Sequence, residues 1–164
     1  MNFGINGGTS TLISGGLLTT DYSVGNTLTL NNFSQISSDP NGNFSMNTFS
    51  ASGSTLRGDI GVTTLSGSIT LQNGSLFAGN DTFNSAGLIS ILNNSSFPGN
   101  DIFNAATSIA ISNSNTFSGS NEFNAGTTIL IATNNYIGGD NIFTTTTGGI
   151  TISSANSFPD NNTF

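Results

Sequence analysis

The sequence contains no cysteine, histidine or tryptophan, and Arg57 is its only basic residue. Without cysteine and histidine, disulfide bonds, zinc sites built on those side chains and catalysis by a thiolate or an imidazole base are excluded. One cation cannot neutralise the phosphates of a nucleic acid, so nucleic-acid binding is excluded as well. No apolar run approaches the ~18 residues of a transmembrane helix. These absences favour a structural or binding protein that has no enzymatic activity and no cofactor.

Small polar residues dominate what is present. Asparagine, serine and threonine together supply 73 of the 164 residues, and glycine supplies another 21. These residues are poor helix formers, because three of them compete with the helical backbone for hydrogen bonds and glycine is too flexible. Charged residues make up only 5% of the chain, so charge repulsion does not keep it unfolded. The length fits one domain spanning residues 1–164.

Apolar residues recur every 20 residues over the second part of the chain. One aromatic row is Phe83, Phe103, Phe123 and Phe143, and a second contains Phe97 and Phe117 and continues at Phe158 after a one-residue slip. Two aliphatic rows are Ile89, Ile109 and Ile129, and Ile91, Ile111 and Ile131. A fixed period over several units is the signature of a repeat protein. Residues 62–164 form regular repeats, and residues 1–61 are interpreted as degenerate coils.

Each repeat is too short for a pair of helices, which needs about 33 residues. The Ile-x-Ile segments alternate apolar and polar residues as half-buried strands do, and glycine, asparagine and Pro-Gly separate them. The sequence therefore predicts an all-β protein, a single right-handed parallel β-helix of about eight coils, each with about 20 residues and three short strands. A leucine-rich repeat is the alternative architecture, but its multi-leucine signature is missing.

In such a stack, each residue lies next to its equivalent in the following coil, so the apolar rows become core stacks. Asn73, Asn93 and Asn113 follow the Ile-x-Ile strand at the same 20-residue step. We expect their side-chain amides to form a ladder, since stacked amides can donate and accept along the stack. The alternative is plain turn chemistry, because asparagine tolerates the left-handed backbone of turns.

Short F-x-x-N motifs follow the Ile-x-Ile strands at Phe77–Asn80, Phe97–Asn100 and Phe158–Asn161. These repeats resemble those of chlamydial polymorphic outer-membrane proteins and, more loosely, other autotransporter passenger domains. The resemblance covers about residues 62–164 and implies a right-handed β-helix that acts as a surface adhesin. The companion G-G-A-[ILV] motif of that family is absent, with Gly148-Gly149-Ile150 as the nearest match, and Phe117-Ser118-Gly119-Ser120 lacks the asparagine.

Nearly every predicted coil carries one acidic residue, so stacking is expected to bring several carboxylates together on one edge. They are Asp21, Asp39, Asp59, Asp81, Asp101, Glu122, Asp140 and Asp160. Such a row could bind Ca²⁺, which prefers several oxygen ligands, with Asp81 and Asp101 as candidates. The simpler interpretation is a turn aspartate that bonds its own backbone. A catalytic carboxylate pair is disfavoured, because Arg57 alone is a poor supply of the basic residues that β-helix lyases use.

Two surface features bear on other roles. The outward positions beside the Ile-x-Ile strands are Ser68, Leu88, Ser108, Thr128 and Gly149. They do not form the regular threonine array of a β-solenoid ice-binding protein, so ice binding is a minor alternative. Apolar side chains are also expected to point outward, and two or more in one lateral patch would indicate packing against a neighbour. They are Leu88, Leu92, Ile102, Leu130 and Ile142.

The two ends of the predicted β-helix show no cap. Phe3 and Ile5 stand at one end, and Asn161, Asn162, Thr163 and Phe164 repeat the opening of a coil at the other. Uncapped ends expose backbone groups and core, and a head-to-tail contact between them propagates into a filament. We therefore expect a homopolymer that serves as a structural subunit of an extracellular fibre or surface assembly. The alternative is an adhesin passenger-type binding module that recognises a host surface or a glycan. The main rival explanation of the uncapped ends is that the chain was cut from a longer parent protein.

Overall fold

The computed structural model describes residues 9–13, 17–18, 22–23, 27–32, 35–37 and 42–164, with side chains described over 27–32 and 43–164. All strands in these ranges pair in parallel, and the same ranges contain no helix. Each coil contributes one strand to each of three sheets, and successive coils stack in register. The predicted all-β parallel solenoid with three strands per coil is confirmed. The right-handed sense of the winding stays a prediction.

Sheet A follows the Ile-x-Ile segments and has eight strands. Its strands are Thr9–Ile13, Thr27–Asn31, Thr48–Ser52, Ile69–Gln72, Ile89–Leu92, Ile109–Ser112, Ile129–Ile131 and Ile150–Ile152. Sheet B has seven shorter strands. They are Leu17–Leu18, Gln35–Ser37, Thr55–Arg57, Leu76–Phe77, Ser96–Phe97, Thr116–Phe117 and Tyr136–Ile137. Sheet C also has seven. They are Tyr22–Ser23, Gly42–Met46, Ile60–Thr64, Thr82–Ser85, Ile102–Ala105, Glu122–Ala125 and Ile142–Thr145.

Within the described residues, these numbers give seven complete three-strand coils and an eighth strand in sheet A, which differs slightly from the eight coils predicted. Beyond the last strands, isolated bridges join Tyr136 of sheet B to Ser157 and Ile142 of sheet C to Thr163, so the eighth coil follows the same path. The less regular part of the sequence joins the same stack. Leu28 pairs with Phe49, and Phe49 pairs with Ile69, so one coil stands between the two segments.

The core lies inside the three sheets because alternate residues of each strand point inward. In Ile109–Ser112, both isoleucines are buried and the two residues between and after them are partly exposed. The four predicted rows become four columns of buried side chains. They contain Phe83, Phe103, Phe123 and Phe143; Ile89, Ile109 and Ile129; Ile91, Ile111 and Ile131; and Phe97 and Phe117 with the partly buried Phe158.

The phenylalanine columns are regular ring stacks. In the sheet C column, the ring of Phe103 is 5.1 Å from that of Phe83 and 5.0 Å from that of Phe123, with planes within 7° of parallel. Across the core, Phe103 meets Phe97 of the sheet B column edge to face at 5.3 Å. Offset stacks and edge-to-face pairs are both favourable ring geometries, so each ring makes both kinds of contact at once.

Candidate functional site: polar ladders and an exposed coil face

The predicted asparagine ladder runs along the turn between sheets A and B. Asn113 Nδ2 donates to Asn93 Oδ1 at 3.0 Å, and Asn93 Nδ2 donates to Asn73 Oδ1 at 3.2 Å. All three residues have positive φ, between 56° and 66°. The left-handed backbone and the amide ladder therefore occur at the same positions. Ladder formation and turn chemistry, the two interpretations of these asparagines, are both present in the structure.

The F-x-x-N motif forms a second ladder, on the outside of the turn between sheets B and C. The side-chain oxygen of each member accepts the backbone N–H of the equivalent residue one coil later. Asn80 Oδ1 accepts from Asn100 N at 2.9 Å, and Asn100 Oδ1 accepts from Ser120 N at 2.8 Å. Asp59 and Asp140 act in the same way at other levels. Ser120 stands where the motif lacks its asparagine, and its Oγ accepts the backbone N–H of Asp140. The ladder therefore continues through this coil.

The next residue along the chain forms an inner ladder at the same corner. Its members are Asp81, Asp101, Asn121, Asn141 and Asn162. Here each side-chain Oδ1 accepts the backbone N–H of the preceding coil, the opposite direction from the outer ladder. Asp101 Oδ1 accepts from Asp81 N at 2.7 Å, and Asn121 Oδ1 accepts from Asp101 N at 2.9 Å. Two consecutive residues thus satisfy the turn backbone on both sides of each coil.

The six described acidic residues do not form a single row but occupy four different columns, and Asp21 and Asp39 lie outside the described residues. Asp81 and Asp101 lie in the inner ladder, and Asp59 and Asp140 lie in the outer one. Glu122 follows Ile102 on the outer face of sheet C, and Asp160 accepts the N–H of Gly139. Their sequence steps vary around 20 residues because acidic residues of successive coils often lie in different columns. No group of three acidic residues that could hold a metal ion occurs among the described residues.

Among the described carboxylates, the two calcium candidates are buried and the others are exposed. Asp81 and Asp101 are 1% and 0% exposed. Burial raises the pKa of Asp81 to about 7 and that of Asp101 to about 8, although a backbone N–H bonded to each carboxyl acts in the opposite direction. Calcium binding at these two residues stays a prediction.

A further inner ladder at the corner between sheets A and B was not predicted from the sequence. It contains Ser54, Ser75, Ser95, Asn115, Asn135 and Asn156. Asn115 Oδ1 accepts the N–H of Ser95 and Asn135 Oδ1 accepts that of Asn115, both at 3.0 Å. The 20-residue recurrence of a small polar residue two positions before the sheet B phenylalanine was the available signal.

Sheet C carries an outward asparagine ladder that forms the floor of a shallow groove. Asn124 Nδ2 donates to Asn104 Oδ1 at 3.0 Å, and Asn104 Nδ2 donates to Asn84 Oδ1 at 2.8 Å. The groove has a volume of about 450 Å³, and small residues such as Ala86 and Ala106 form its wall. The groove therefore combines a column of amides with small apolar residues along the axis of the solenoid.

The two exposed members of the predicted outward apolar set do not share a lateral patch. Leu130 is exposed on sheet A and Ile142 on sheet C, and the column of Ile142 is interrupted by Glu122. The threonines near the sheet C to sheet A corner use their hydroxyls within the chain. Thr127 Oγ1 donates to the Thr107 carbonyl and Thr147 Oγ1 to the Gly126 carbonyl, both at 2.9 Å. The described surface therefore has no free threonine array at this corner.

The coil formed by residues 150–164 exposes an apolar face. Ile152 is 43% exposed and Phe164 is 57% exposed, whereas their equivalents one coil earlier, Ile131 and Phe143, are at most 2% exposed. The ring of Phe164 stacks on Phe143 at 5.0 Å, so it extends the core column. Around it stand Asn161, the half-buried Asn162, and Thr163. The other predicted end residues, Phe3 and Ile5, lie outside the described residues.

Within the ranges that the structure covers, no helix is long and apolar enough to cross a membrane. Comparison with known proteins identified no relative of the chain. No family model, no curated protein and no solved structure matches the chain.

Proposed function

We propose that the chain is a structural subunit of an extracellular fibre or surface assembly, in which copies stack head-to-tail through coils at their ends. The observation that carries the proposal is the exposed face of residues 150–164. Phe164 and Ile152 continue two core columns, yet about half of each side chain is exposed. The chemistry that fits this face is another coil of the same repeat, with a ring over Phe164 and an aliphatic side chain over Ile152.

The backbone of this coil supports the same partner. Ile150–Ile152 pairs with Ile129–Ile131 on one side only, whereas strands within the stack pair on both sides. A strand paired on one side presents N–H and C=O groups that readily accept another strand. A coil-on-coil contact satisfies these groups and buries the apolar face together. Because the two surfaces that meet are different, the contact does not close on itself and propagates into a filament.

Two further observations support the proposal. Weak charge repulsion favours stacking of the copies, and the repeat resemblance favours a location outside the cell or on its surface. The net charge is −7 over 164 residues, so little repulsion opposes stacking. The F-x-x-N repeats resemble those of chlamydial polymorphic outer-membrane proteins, which favours a place outside the cell or on its surface.

Substitution of Phe164 by aspartate tests the contact. A carboxylate over the core column would be buried without a partner in the stacked form, so we expect the variant to lose assembly. The matched control is Leu65→Asp, which introduces the same carboxylate in place of an apolar side chain that is 62% exposed on the side of the solenoid. Light scattering over a concentration series should show growing particles for the parent and for Leu65→Asp, and constant small particles for Phe164→Asp. Assembly of Phe164→Asp equal to that of the parent would refute the proposal.

A second candidate function is an adhesin-type binding module for a host surface or a glycan. The observation that favours it is the sheet C groove, where Asn84, Asn104 and Asn124 hold polar groups at regular spacing. Amide side chains can donate and accept, which suits a hydroxyl-rich ligand. The same light-scattering series separates the two functions, since head-to-tail stacking requires particles that grow with concentration and ligand binding does not.

A further inference from the structure

The inner ladder at the corner between sheets B and C changes its chemistry along the stack. Five equivalent positions hold Asp81, Asp101, Asn121, Asn141 and Asn162. All five use Oδ1 in the same way, as acceptor of a backbone N–H from the preceding coil. The members differ only in the atom at the δ2 position of the side chain. This second polar atom is the amide nitrogen Nδ2 in the three asparagines and the carboxyl oxygen Oδ2 in the two aspartates.

Where that second atom is nitrogen, it acts as a donor. Asn121 Nδ2 donates to the Gly119 carbonyl at 2.7 Å and to Asn141 Oδ1 at 2.9 Å. Asn141 Nδ2 donates to the carbonyls of Gly138 and Gly139 at 2.9 and 2.8 Å. Within the described residues, the site around the second atom is thus lined by acceptors.

Where the second atom is oxygen, it has no hydrogen-bond partner. Oδ2 of Asp81 and Oδ2 of Asp101 are both buried and unpaired. An ionised carboxylate can only accept hydrogen bonds. By equivalence with the Gly119 carbonyl beside Asn121, we expect the carbonyl of Gly79 or Gly99, which is also an acceptor, to lie beside this atom. Two buried negative charges one coil apart, with no cation bonded to them, would carry a large desolvation cost.

We propose that Asp81 and Asp101 form a buried proton-binding site, in which both carboxyls hold a proton in the folded solenoid. The Oδ2–H group then takes the place of the asparagine Nδ2–H and donates to the turn carbonyl. A carboxylic acid has nearly the shape of a carboxamide, so the ladder continues without a break through these two levels.

The electrostatic surroundings agree with this assignment. Desolvation by burial raises the pKa of both carboxyls, to about 7 and about 8, and the negative charge of Asp59 raises them further. The charged groups on the neighbouring strands and turns are Arg57, Asp59 and Glu122, all of them exposed. Of these, only Asp59 contributes to the pKa shift, and Asp81 adds to that of Asp101.

Because the folded-state pKa values lie above the unfolded value near 4, unfolding releases these protons. The stability they contribute is complete below about pH 4 and is lost as the pH rises through the folded-state values. The unfolding equilibrium constant should therefore rise with pH by about tenfold per pH unit for each proton released.

The test is urea unfolding between about pH 5 and about pH 6, where the unfolded carboxyls are ionised and the folded ones are not. The variant is Asp81→Asn with Asp101→Asn, which installs the side chain that positions 121 and 141 already carry. We expect the parent to show a slope of about a hundredfold per pH unit, from two protons, and the double variant to lose it. The control is Asp140→Asn, which makes the same change at an exposed ladder position and should keep the parental slope.

A parental slope that survives in the double variant would overturn the proposal. So would stabilisation of the parent by added Ca²⁺ that the double variant does not show, since the ligand would then be the cation. A second measurement does not depend on unfolding: infrared spectra of the folded parent at about pH 6 should contain a protonated carboxylic-acid band, because ordinary carboxyls are ionised there. Absence of that band would refute the protonated state.

Discussion

Replacement of Phe103 by alanine is expected to lower the free energy of unfolding by about 3–5 kcal/mol, the range found for buried aromatic residues. The ring is fully buried and stacks on Phe83 and Phe123 at 5.1 and 5.0 Å. It also contacts Phe97 and Phe117 edge to face. Its removal leaves a cavity that the flanking rings cannot fill, because hydrogen-bonded strands hold each of them at its own level. Urea unfolding of parent and variant measures the loss.

Ile102→Ser is the matched control for this prediction. Ile102 precedes Phe103 in the same strand and faces outward, where it is partly exposed. We expect its substitution to cost within about 1 kcal/mol, since surface changes are usually small. Equal losses at the two positions would mean that the inward and outward faces of the strand are reversed.

Gly99→Ala is expected to destabilise the stack by about 1–3 kcal/mol through overpacking, towards the top of that range. A Cβ atom at Gly99 would lie 1.7 Å from the carbonyl oxygen of Gly79 in the coil before it. The clash is with backbone, and both turns are held by ladder hydrogen bonds at the next residues, so neither can move aside easily.

Gly149→Ala makes the same change where no atom lies within 4 Å of the added Cβ. We expect it to alter the free energy of unfolding by no more than about 0.5 kcal/mol. If the two alanine variants unfold at the same urea concentration, the close approach of stacked turns does not limit the packing of coils.

The core of the fold could be predicted from the sequence because two periods coincide. Residues such as Ile109 and Ile111 alternate with polar residues, which indicates a strand, and recur after 20 residues, which indicates stacking. The register that follows, with Ile109 between Ile89 and Ile129, is the one that the structure contains. Hydrophobic spacing is sufficient here since a slip by one residue would turn every apolar side chain outward.

The inner polar ladders could not be predicted in the same way. Hydrophobic periodicity assigns Asp81 and Asn121 to the turns and gives no reason to place them inside. Their position depends on backbone N–H groups that must be satisfied at each corner, which is a property of the stacked coils and not of one segment. The exchange of aspartate for asparagine between positions 101 and 121 was a usable signal, because it conserves side-chain shape and not charge.

The exposed face of residues 150–164 could also be predicted only in part from the sequence. The recurrence of a coil opening at Phe164 suggested a surface for stacking, and the structure places that ring on Phe143 with more than half of it exposed. What covers the ring is not determined by the packing of the described residues.

Negative-stain electron microscopy of the purified, unmodified protein tests the central claim most directly. If copies stack head-to-tail through their end coils, concentrated protein should form unbranched filaments one solenoid wide, and their length should increase with concentration. Single short particles at every concentration would contradict this account of the protein as a structural, self-stacking subunit.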